Sequence, residues 1–265
     1  MNQSVAISAE GEQKTVPVRD QVTPDEWQIR VDLAAAYRAV AMFGWDDLIF
    51  THLSARIPGP DHHFLINPYG MLFEEVTASS LVKIDLNGKI ILNTGFPVNA
   101  AGFTIHSAVH EAREDALCVM HVHTIAGTAV SAQEHGLLPL NQTAMLVRDQ
   151  LAYHEYEGVA LDVDERPRLV ADLGDKPLMM LWNHGTLALG GSVAQAFTRL
   201  YYLERACAMQ VATLAGNPAL HSAPPGIEQK TAQQGAGPGL SMLADHLLWP
   251  AIMRKLDRLD PSFRD

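Results

Sequence analysis

Two histidines separated by one residue, His121 and His123, are the part of the sequence that points most directly to chemistry. The run from Leu117 to His123 is otherwise apolar and predicts a buried strand. In a strand, residues i and i+2 face the same side, about 6.6 Å apart along the chain. Two imidazoles presented together in this way can bind one metal ion. The alternative is a pair of hydrogen-bonded histidines in the protein core.

A third histidine, His184, lies where a second apolar strand, predicted over 177–182, comes to an end. Strand ends are where α/β folds place ligands, and Gly185 would let the backbone approach such a site closely. Three neutral imidazoles with one open coordination position indicate a catalytic divalent site, with zinc the first choice of metal. Such an ion acts as a Lewis acid on a carbonyl or hydroxyl.

A cupin barrel also uses a His-x-His pair, and this alternative can be tested against the surrounding sequence. A cupin needs a glutamate soon after the pair and strands throughout the chain. Residues 124–133 instead predict a helix. The sequence therefore disfavours the all-β interpretation.

Capping residues and hydrophobic periodicity predict the elements that must position these histidines. Thr23, Pro24 and Glu26 indicate the start of a helix, and Gly44 indicates its end. Further helices are predicted over 100–113, 125–133, 192–216 and 240–259. Strands are predicted over 48–56, 64–67, 81–85, 89–92, 117–123 and 177–182. This order indicates an α/β fold with a mixed sheet.

The same patterns divide the chain into three parts. Residues 1–22 show no periodicity and predict a flexible N-terminal arm. Residues 23–216 predict a single domain. Residues 217–265 predict a linker followed by a C-terminal helical tail, with the linker over 221–239, where prolines and glycines recur.

Composition limits the class of protein. The chain has 265 residues, of which 48% are hydrophobic and 18% charged, and this excludes a disordered tail protein. A net charge of −11 argues against a nucleic-acid partner, although it leaves an anionic small molecule possible. Cys118 and Cys207 are too few for a disulfide framework. With no signal peptide and no run that could span a bilayer, we expect a cytoplasmic protein without a membrane partner.

The segments 121–124 (His-Val-His-Thr) and 183–185 (Asn-His-Gly), the latter with a capped helix behind it, resemble the class II aldolase/adducin family over about residues 25–215. The resemblance implies a three-layer α/β/α sandwich around a central mixed, largely antiparallel sheet. It also implies a homotetramer with active sites between subunits and a small-molecule substrate. His121, His123 and His184 match the family's ligands for a divalent ion, which stabilises the enediolate formed when a carbon–carbon bond is made or cut.

The sequence departs from the sugar-phosphate aldolases of that family at the acid/base position. Those enzymes place a glutamate four residues before a helix histidine that corresponds to His106, and here that position is Gly102. Their phosphate-binding serines correspond to Ala100 and Ala101, and their glycine-rich turn corresponds to 49–52, which lacks glycine. Acid/base catalysis needs a titratable group within hydrogen-bond reach. We therefore do not expect an unmodified phosphosugar aldolase.

Segments 51–56, 67–70, 77–81 and 101–106 are most similar to the adducin-like subgroup. The adducin head domain is a non-enzymatic relative, and its pattern at the glutamate position resembles the one found here. This resemblance implies that the chain could keep a metal site without aldolase chemistry.

Three residues are candidates to replace the missing glutamate. His52 stands where the aldolases place a substrate-binding asparagine, and its alternation with Ser54 predicts a shared strand face. Tyr153 and His154 fall near the segment from which family enzymes lend a tyrosine to the neighbouring subunit. Histidine titrates near neutral pH and suits proton transfer. The alternative for Tyr153 and His154 is an ordinary strand or interface pair.

His106 and His110 are four residues apart on one helix face, a spacing that can also bind metal. The resemblance instead places His106 behind the metal as a support for its ligands. We expect structural roles for both.

The favoured function is a metal-dependent lyase, of decarboxylase, dehydratase or aldolase type, acting on a small hydroxy- or oxo-acid. Zinc is the expected metal, and iron, manganese or cobalt would also suit the ligands. One alternative is a non-catalytic adducin-like interaction or scaffold protein. A further alternative is a non-haem iron oxygenase on the same fold.

Overall fold

The computed structural model describes residues 16–159 and 163–265, with the side chains of residues 100–103 left out. Most of the predicted N-terminal arm, residues 1–15, lies outside the described residues. Residues Val18–Gln21 form a short 3-10 helix directly before the first long helix.

The described residues form an eight-stranded sheet at the centre of the fold. Its strands are β1 (His52–Arg56), β2 (Phe64–Ile66), β3 (Val82–Ile84), β4 (Ile90–Leu92), β5 (Cys118–Val122), β6 (Leu151–His154), β7 (Leu178–Leu181) and β8 (Gly185–Gly190). The strand order is β4-β3-β2-β1-β5-β8-β7-β6. Every neighbouring pair is antiparallel except β6 and β7, which are parallel. The predicted mixed, largely antiparallel sheet is confirmed.

Helices cover both faces of this sheet. They are α1 (Pro24–Met42), α2 (Ala100–Ala112), α3 (Ile125–Ser131), α4 (Gln142–Val147), α5 (Arg166–Leu173), α6 (Val193–Leu214), α7 (Ile227–Ala236), α8 (Gly239–Leu243) and α9 (Trp249–Leu259). None of these helices is long and apolar enough to cross a membrane.

Strand β5 shows how one sequence pattern fills two cores. Its residues Cys118, Met120 and Val122 belong to the core that includes α1 and α6. Val119 belongs to a second core with Ile105 of α2 and residues of α5. Because successive strand residues point to opposite faces, this alternation places a helical layer on each side. The three-layer α/β/α sandwich is thereby confirmed.

Two predicted helix starts are also confirmed by their capping hydrogen bonds. The backbone N–H of Glu26 donates to Thr23 Oγ1 at 3.2 Å, and that of Gln195 donates to Ser192 Oγ at 3.1 Å. These bonds satisfy amide groups that have no partner within the helix.

Several predicted elements need correction. Strand β1 begins only at His52, because residues 47–50 form a turn closed by a bridge between Asp47 and Phe50. Strands β6 and β8 are absent from the prediction. The predicted helix 240–259 divides into α8, a π-helical segment at 244–248, and α9.

The linker predicted over 221–239 is wrong for residues 227–236, which form α7. Its glycines suggested an open chain, but Ala232 and Gly235 are buried. Gly235 lies so close to α4 that an added Cβ would meet the carbonyl oxygen of Leu146 at 2.1 Å. The glycine therefore permits helix packing here and does not break the helix. Further along the chain, Trp249, Leu256 and Phe263 are buried in the core with α1 and α6.

Candidate metal centre

The three histidines predicted to bind metal converge at one end of the sheet. His121 lies near the end of β5, His123 follows that strand, and His184 occupies the turn between β7 and β8. Strands β5 and β8 pair directly, with Val122 opposite Thr186. The ring centroids of each histidine pair are 4.7 Å apart. One nitrogen from each ring lies within 4.8 Å of the other two.

Hydrogen bonds at Nδ1 orient two of these rings. His121 Nδ1 lies 2.9 Å from the carbonyl oxygen of Thr186, and His123 Nδ1 lies 3.1 Å from Asp47 Oδ2. A carbonyl or carboxylate oxygen can only accept, so both Nδ1 atoms donate. Each neutral ring then keeps a lone pair on Nε2. Such outer partners are the usual way in which a protein orients a metal-binding imidazole.

The remaining nitrogens fit a divalent ion. Nε2 of His121 and Nε2 of His123 are 2.9 Å apart, so two lone pairs face each other. Two nitrogens that are each about 2.0 Å from a tetrahedral zinc ion are separated by roughly 3.3 Å, which is close to this distance. Imidazole suits zinc and iron, and three protein ligands leave one tetrahedral position open. The residues present therefore fit the ion that the family resemblance implies.

Burial keeps His121 and His184 neutral. Burial and the adjacent His184 and His123 hold the pKa of His121 well below its ordinary value. Burial and His123 lower the pKa of His184 to about 4. A low pKa leaves the lone pair free for a metal near neutral pH.

A cavity of about 310 Å³ borders the three histidines. Its other polar lining comes from Asp47, Thr51, His52, Asn99, His106 and Tyr156. Among the described residues that line it, none is lysine or arginine. The cavity therefore offers hydrogen-bonding groups and one carboxylate but no protein cation.

Three buried polar atoms on this lining have no hydrogen-bond partner among the described residues. They are Thr51 Oγ1, His52 Nε2 and His106 Nε2. Most buried polar groups in proteins are paired, so unpaired ones beside a cavity need an explanation such as a ligand. The predicted candidate His52 is thus placed in the cavity, on β1 opposite His121 of β5. Burial, with His123, lowers the pKa of His52 to about 4.

The structure places the other two predicted catalytic residues away from this cavity. The Tyr153 ring stacks on Trp182 at 4.7 Å, and its hydroxyl accepts a hydrogen bond from the backbone N–H of Leu137 at 3.1 Å. Neither Tyr153 nor His154 lines the cavity.

His154 is buried between two carboxylates. Its Nδ1 lies 2.7 Å from Asp172 Oδ2, and its Nε2 lies 3.3 Å from Glu165 Oε1. Both ring nitrogens are therefore engaged within the subunit. A contribution of Tyr153 or His154 to a neighbouring subunit's site stays a prediction.

Sequence analysis missed the turn that carries Asp47. Leu48 and Thr51 both have left-handed backbone angles, with φ of +53° and +65°. Side-chain-bearing residues other than asparagine seldom adopt this conformation, and no glycine marks the turn. The pattern therefore predicted a strand where the structure has a turn. The one signal that pointed to a residue such as Asp47 is general: a carboxylate or carbonyl usually orients a metal-binding histidine.

Sequence analysis also missed Tyr156, whose ring centroid is 6.1 Å from that of His184. His106 was expected to be structural, yet it lines the cavity. Gly102 lies in the first turns of α2, where the side chains are outside the described residues.

Known proteins are similar to this chain in sequence and in fold. A protein of Caulobacter vibrioides, provisionally named an aldolase class 2 protein, is 55% identical over 258 residues, covering 97% of this chain and 100% of that protein. Mouse alpha-adducin is 41% identical over 244 residues, covering 87% of this chain but only 33% of alpha-adducin. The crystal structure of an aldolase II superfamily protein from Pseudomonas syringae superposes with a TM-score of 0.88 at 51% identity, covering 94% of this chain and 100% of that one.

The family model described as Class II Aldolase and Adducin N-terminal domain matches residues 31–211. This range contains the sheet and all three convergent histidines. The sequence match, the fold and the shared identities agree, and the chain therefore belongs to the class II aldolase/adducin family.

Proposed function

We propose that this protein is a metal-dependent lyase that acts on a small hydroxy- or oxo-acid. The observation that carries the proposal is the convergence of three imidazoles on the edge of a cavity where three polar wall atoms have no partner among the described residues. A structural metal site is usually closed by four protein ligands, whereas a catalytic one keeps a position open to the cavity.

His121, His123 and His184 would hold the ion, and zinc suits three imidazoles in tetrahedral geometry. When bound, a divalent ion supplies Lewis acidity toward a carbonyl or hydroxyl oxygen of the substrate. Asp47 and the Thr186 carbonyl orient two of the rings. His52 Nε2 and Thr51 Oγ1 are available to bind the substrate and to hold or move a proton.

The cavity wall supports an unphosphorylated substrate. A phosphate monoester carries close to two negative charges, and proteins usually bind it with arginine, lysine or helix N-termini. Of these groups the described lining includes no lysine or arginine, and only the start of α2, directly after Asn99, adjoins it. Gly102 leaves the glutamate of the sugar-phosphate aldolases without a counterpart. Decarboxylation or dehydration of an acid fits these groups better than cleavage of a phosphosugar.

We propose that the active protein is a cytoplasmic homotetramer. Apolar side chains on the cavity lining support a covering subunit: Phe50, Tyr156 and Val159 are 43%, 51% and 72% exposed. Two buried free cysteines, Cys118 and Cys207, are compatible with a reducing compartment.

The deciding experiment combines metal analysis with a panel of hydroxy- and oxo-acids. The purified protein should contain about one zinc ion per chain and turn over at least one acid. His184→Ala should lose both metal and turnover, whereas His221→Ala, which changes an exposed histidine, should keep both. A protein that takes up no divalent ion when saturated with it would contradict the proposal. Oxygen uptake by the iron-loaded protein would indicate an oxygenase.

A second candidate is a non-catalytic interaction protein, and the 41% identity to alpha-adducin favours it. The same experiment distinguishes the two candidates. Turnover that disappears with His184 supports the lyase. The absence of turnover across the panel, with or without metal, supports the interaction protein.

A further inference from the structure

A chain of hydrogen bonds connects the start of β5 to the cavity. His110 Nδ1 lies 2.9 Å from the carbonyl oxygen of Ala116. His110 Nε2 lies 2.7 Å from Ser54 Oγ, and the same Oγ lies 2.7 Å from His106 Nδ1. Ser54, His106 and His110 are all buried, with 1–2% of each residue exposed. The series of hydrogen bonds ends at His106, which lines the cavity and whose Nε2 has no partner among the described residues.

The direction of each bond follows from its acceptor. The Ala116 carbonyl only accepts, so His110 Nδ1 must donate and His110 Nε2 must accept. The single hydroxyl proton of Ser54 is then given to His110, and Ser54 Oγ accepts from His106 Nδ1. A neutral His106 therefore carries its proton on Nδ1 and a lone pair on Nε2.

Both rings are neutral near pH 7. Burial, with the charge of Arg56, lowers the pKa of His110 to about 3. Burial, with His52 and His110 nearby, holds the pKa of His106 well below its ordinary value. Near neutral pH, each hydrogen bond in this series therefore has a defined donor and a defined acceptor.

We propose that His106 Nε2 accepts a hydrogen bond from a hydroxyl group of the substrate, and that Ser54 and His110 are the positioning residues that keep it an acceptor. This inference rests on the proposed function. A fixed lone pair attracts an O–H donor and repels an anionic oxygen. The substrate class is accordingly narrowed to unphosphorylated acids that carry a hydroxyl group in reach of α2.

A purely structural role for His106 does not explain why its Nε2 has no hydrogen-bond partner among the described residues. Ser54 and His110 are fully satisfied by their bonds, yet Nε2 of His106, a residue that lines the cavity, has no partner in the part of the chain that the structure describes. A buried acceptor that is left unpaired destabilises the folded state. A structural histidine would gain nothing from that position, whereas a ligand-binding one would be paired when the substrate is present.

The first test needs no variant. Nuclear magnetic resonance of the intact protein with labelled histidine distinguishes the two tautomers of each ring, with or without metal. We expect His106 and His110 both to carry the proton on Nδ1. A proton on Nε2 of His106 overturns the inference, whether or not the metal centre exists.

The second test uses two chelating probes that differ by one hydroxyl group, acetohydroxamate and glycolohydroxamate. We expect the zinc-loaded protein to bind glycolohydroxamate about 3- to 12-fold more tightly, the effect of one neutral hydrogen bond. Ser54→Ala should reduce this preference to below about twofold, because it removes the hydroxyl that holds the His106 ring and its tautomer in place. Isothermal titration calorimetry measures both dissociation constants.

Ser107→Ala is the matched control. Ser107 is also a buried serine, and its hydroxyl donates to the Thr104 carbonyl within α2. This variant should keep the wild-type preference. Equal binding of the two probes by the wild type, or an equal loss in both serine variants, overturns the inference. Failure of both probes to bind because no metal is taken up refutes the proposed function, and the tautomer of His106 then decides the inference alone.

Discussion

His121 lies near the end of β5 and His123 directly follows that strand, but acceptors of different kinds orient the two rings. The carbonyl of Thr186 belongs to the β5–β8 ladder and is held by the sheet. Asp47 is a side chain on a turn and is only half-buried. The second support is therefore the one that a substitution can remove without disturbing the sheet.

Removing the Asp47 carboxylate should weaken metal binding. We expect Asp47→Ala to raise the dissociation constant for zinc about 10- to 100-fold, because His123 loses the partner that fixes its tautomer and ring orientation. Competition with a chromogenic chelator measures the constant. Asp46→Ala changes the adjacent exposed carboxylate and should bind zinc like the wild type. Equal affinities in the two variants would show that Asp47 does not support the site.

For single residues, the sequence predicted positions correctly where the residue type and the two-residue period of a strand pointed to the same face. The spacing of His121 and His123 and the alternation of His52 with Ser54 each predicted a shared strand face. In the structure His52 lies opposite His121, and Ser54 contacts His106 and His110 of α2. Tyr153 and His154 were chosen by position in the family alone, and both are engaged elsewhere. Such partners come from α5 and from the loop near Leu137, which no local pattern connects to β6.

At the scale of elements, β8 is the strand that the sequence concealed. Its segment, Gly-Thr-Leu-Ala-Leu-Gly, has a glycine at each end, which is typical of a loop. Inside the sheet, Gly185 has a different purpose. A Cβ added there would lie 2.5 Å from the carbonyl oxygen of Val122 and 3.2 Å from the His123 ring. The close approach of the two ligand-bearing segments requires glycine.

Gly185→Ala should therefore damage both stability and metal binding. Backbone cannot move aside as a flexible side chain can, so we expect a loss of about 1–3 kcal/mol in the free energy of unfolding. Zinc affinity should fall as well, because β8 must shift away from His121 and His123. Gly191→Ala serves as the control, since its Cβ would meet mainly the flexible side chain of Gln195 at 3.3 Å. Urea denaturation and zinc titration of both variants check the expectation, and equal behaviour would contradict it.

The C-terminal segment, residues 260–265, was predicted only as part of a helical tail, but it packs into the core. Phe263 is fully buried in the core with α1 and α6. The carbonyl oxygens of Phe263 and Asp265 accept hydrogen bonds from Ala78 and Ser79 at 3.0 and 2.8 Å. The segment after α9 thus completes the packing of the domain.

Truncating this aromatic side chain should be costly. We expect Phe263→Ala to lower the free energy of unfolding by about 3–5 kcal/mol through lost burial and the cavity left behind. Leu259→Ala removes a side chain that is 63% exposed and should have a small effect. Thermal and urea unfolding report the difference. A loss of similar size in both variants would mean that Phe263 is not part of the core in solution.

For the whole molecule, the burial of histidines predicts sensitivity to acid. The pKa values of His52, His110 and His184 are lowered to about 4, 3 and 4, and those of His106 and His121 lie well below normal. In the unfolded chain each histidine would have a pKa of about 6.5. Between these limits the unfolded state binds more protons, so the stability present above about pH 6.5 is lost as the pH falls.

We expect the free energy of unfolding, measured with a chelator present, to decrease steeply from pH 6.5 toward pH 4. Each buried histidine contributes at most about 1.4 kcal/mol per pH unit. His110→Gln should make the decline shallower by about that amount, whereas the exposed His221→Gln should leave the slope unchanged. Urea denaturation at several pH values provides the measurement. A stability that does not vary over this range would contradict the buried, neutral state of these rings.

The α/β class could be anticipated from caps and strand period. The three-layer architecture and the set of three histidines could be anticipated from a short ordered motif that resembles a known family. The residues that line the cavity could not be anticipated in this way. His106 gained its place through Ser54, which is 52 residues away in sequence, and α7 was hidden by glycines that serve close packing. These features depend on contacts distant in the sequence, whereas propensity describes only neighbours.

The turn from Asp47 to Thr51 has one more consequence. Two of its residues, Leu48 and Thr51, hold backbone angles that cost each of them on the order of 1 kcal/mol or more. Contacts around the turn must therefore hold this strained backbone in place, among them the hydrogen bond from His123 Nδ1 to Asp47 and the burial of Thr51. A substitution that loosens those contacts would also disturb the orientation of a metal-binding ring.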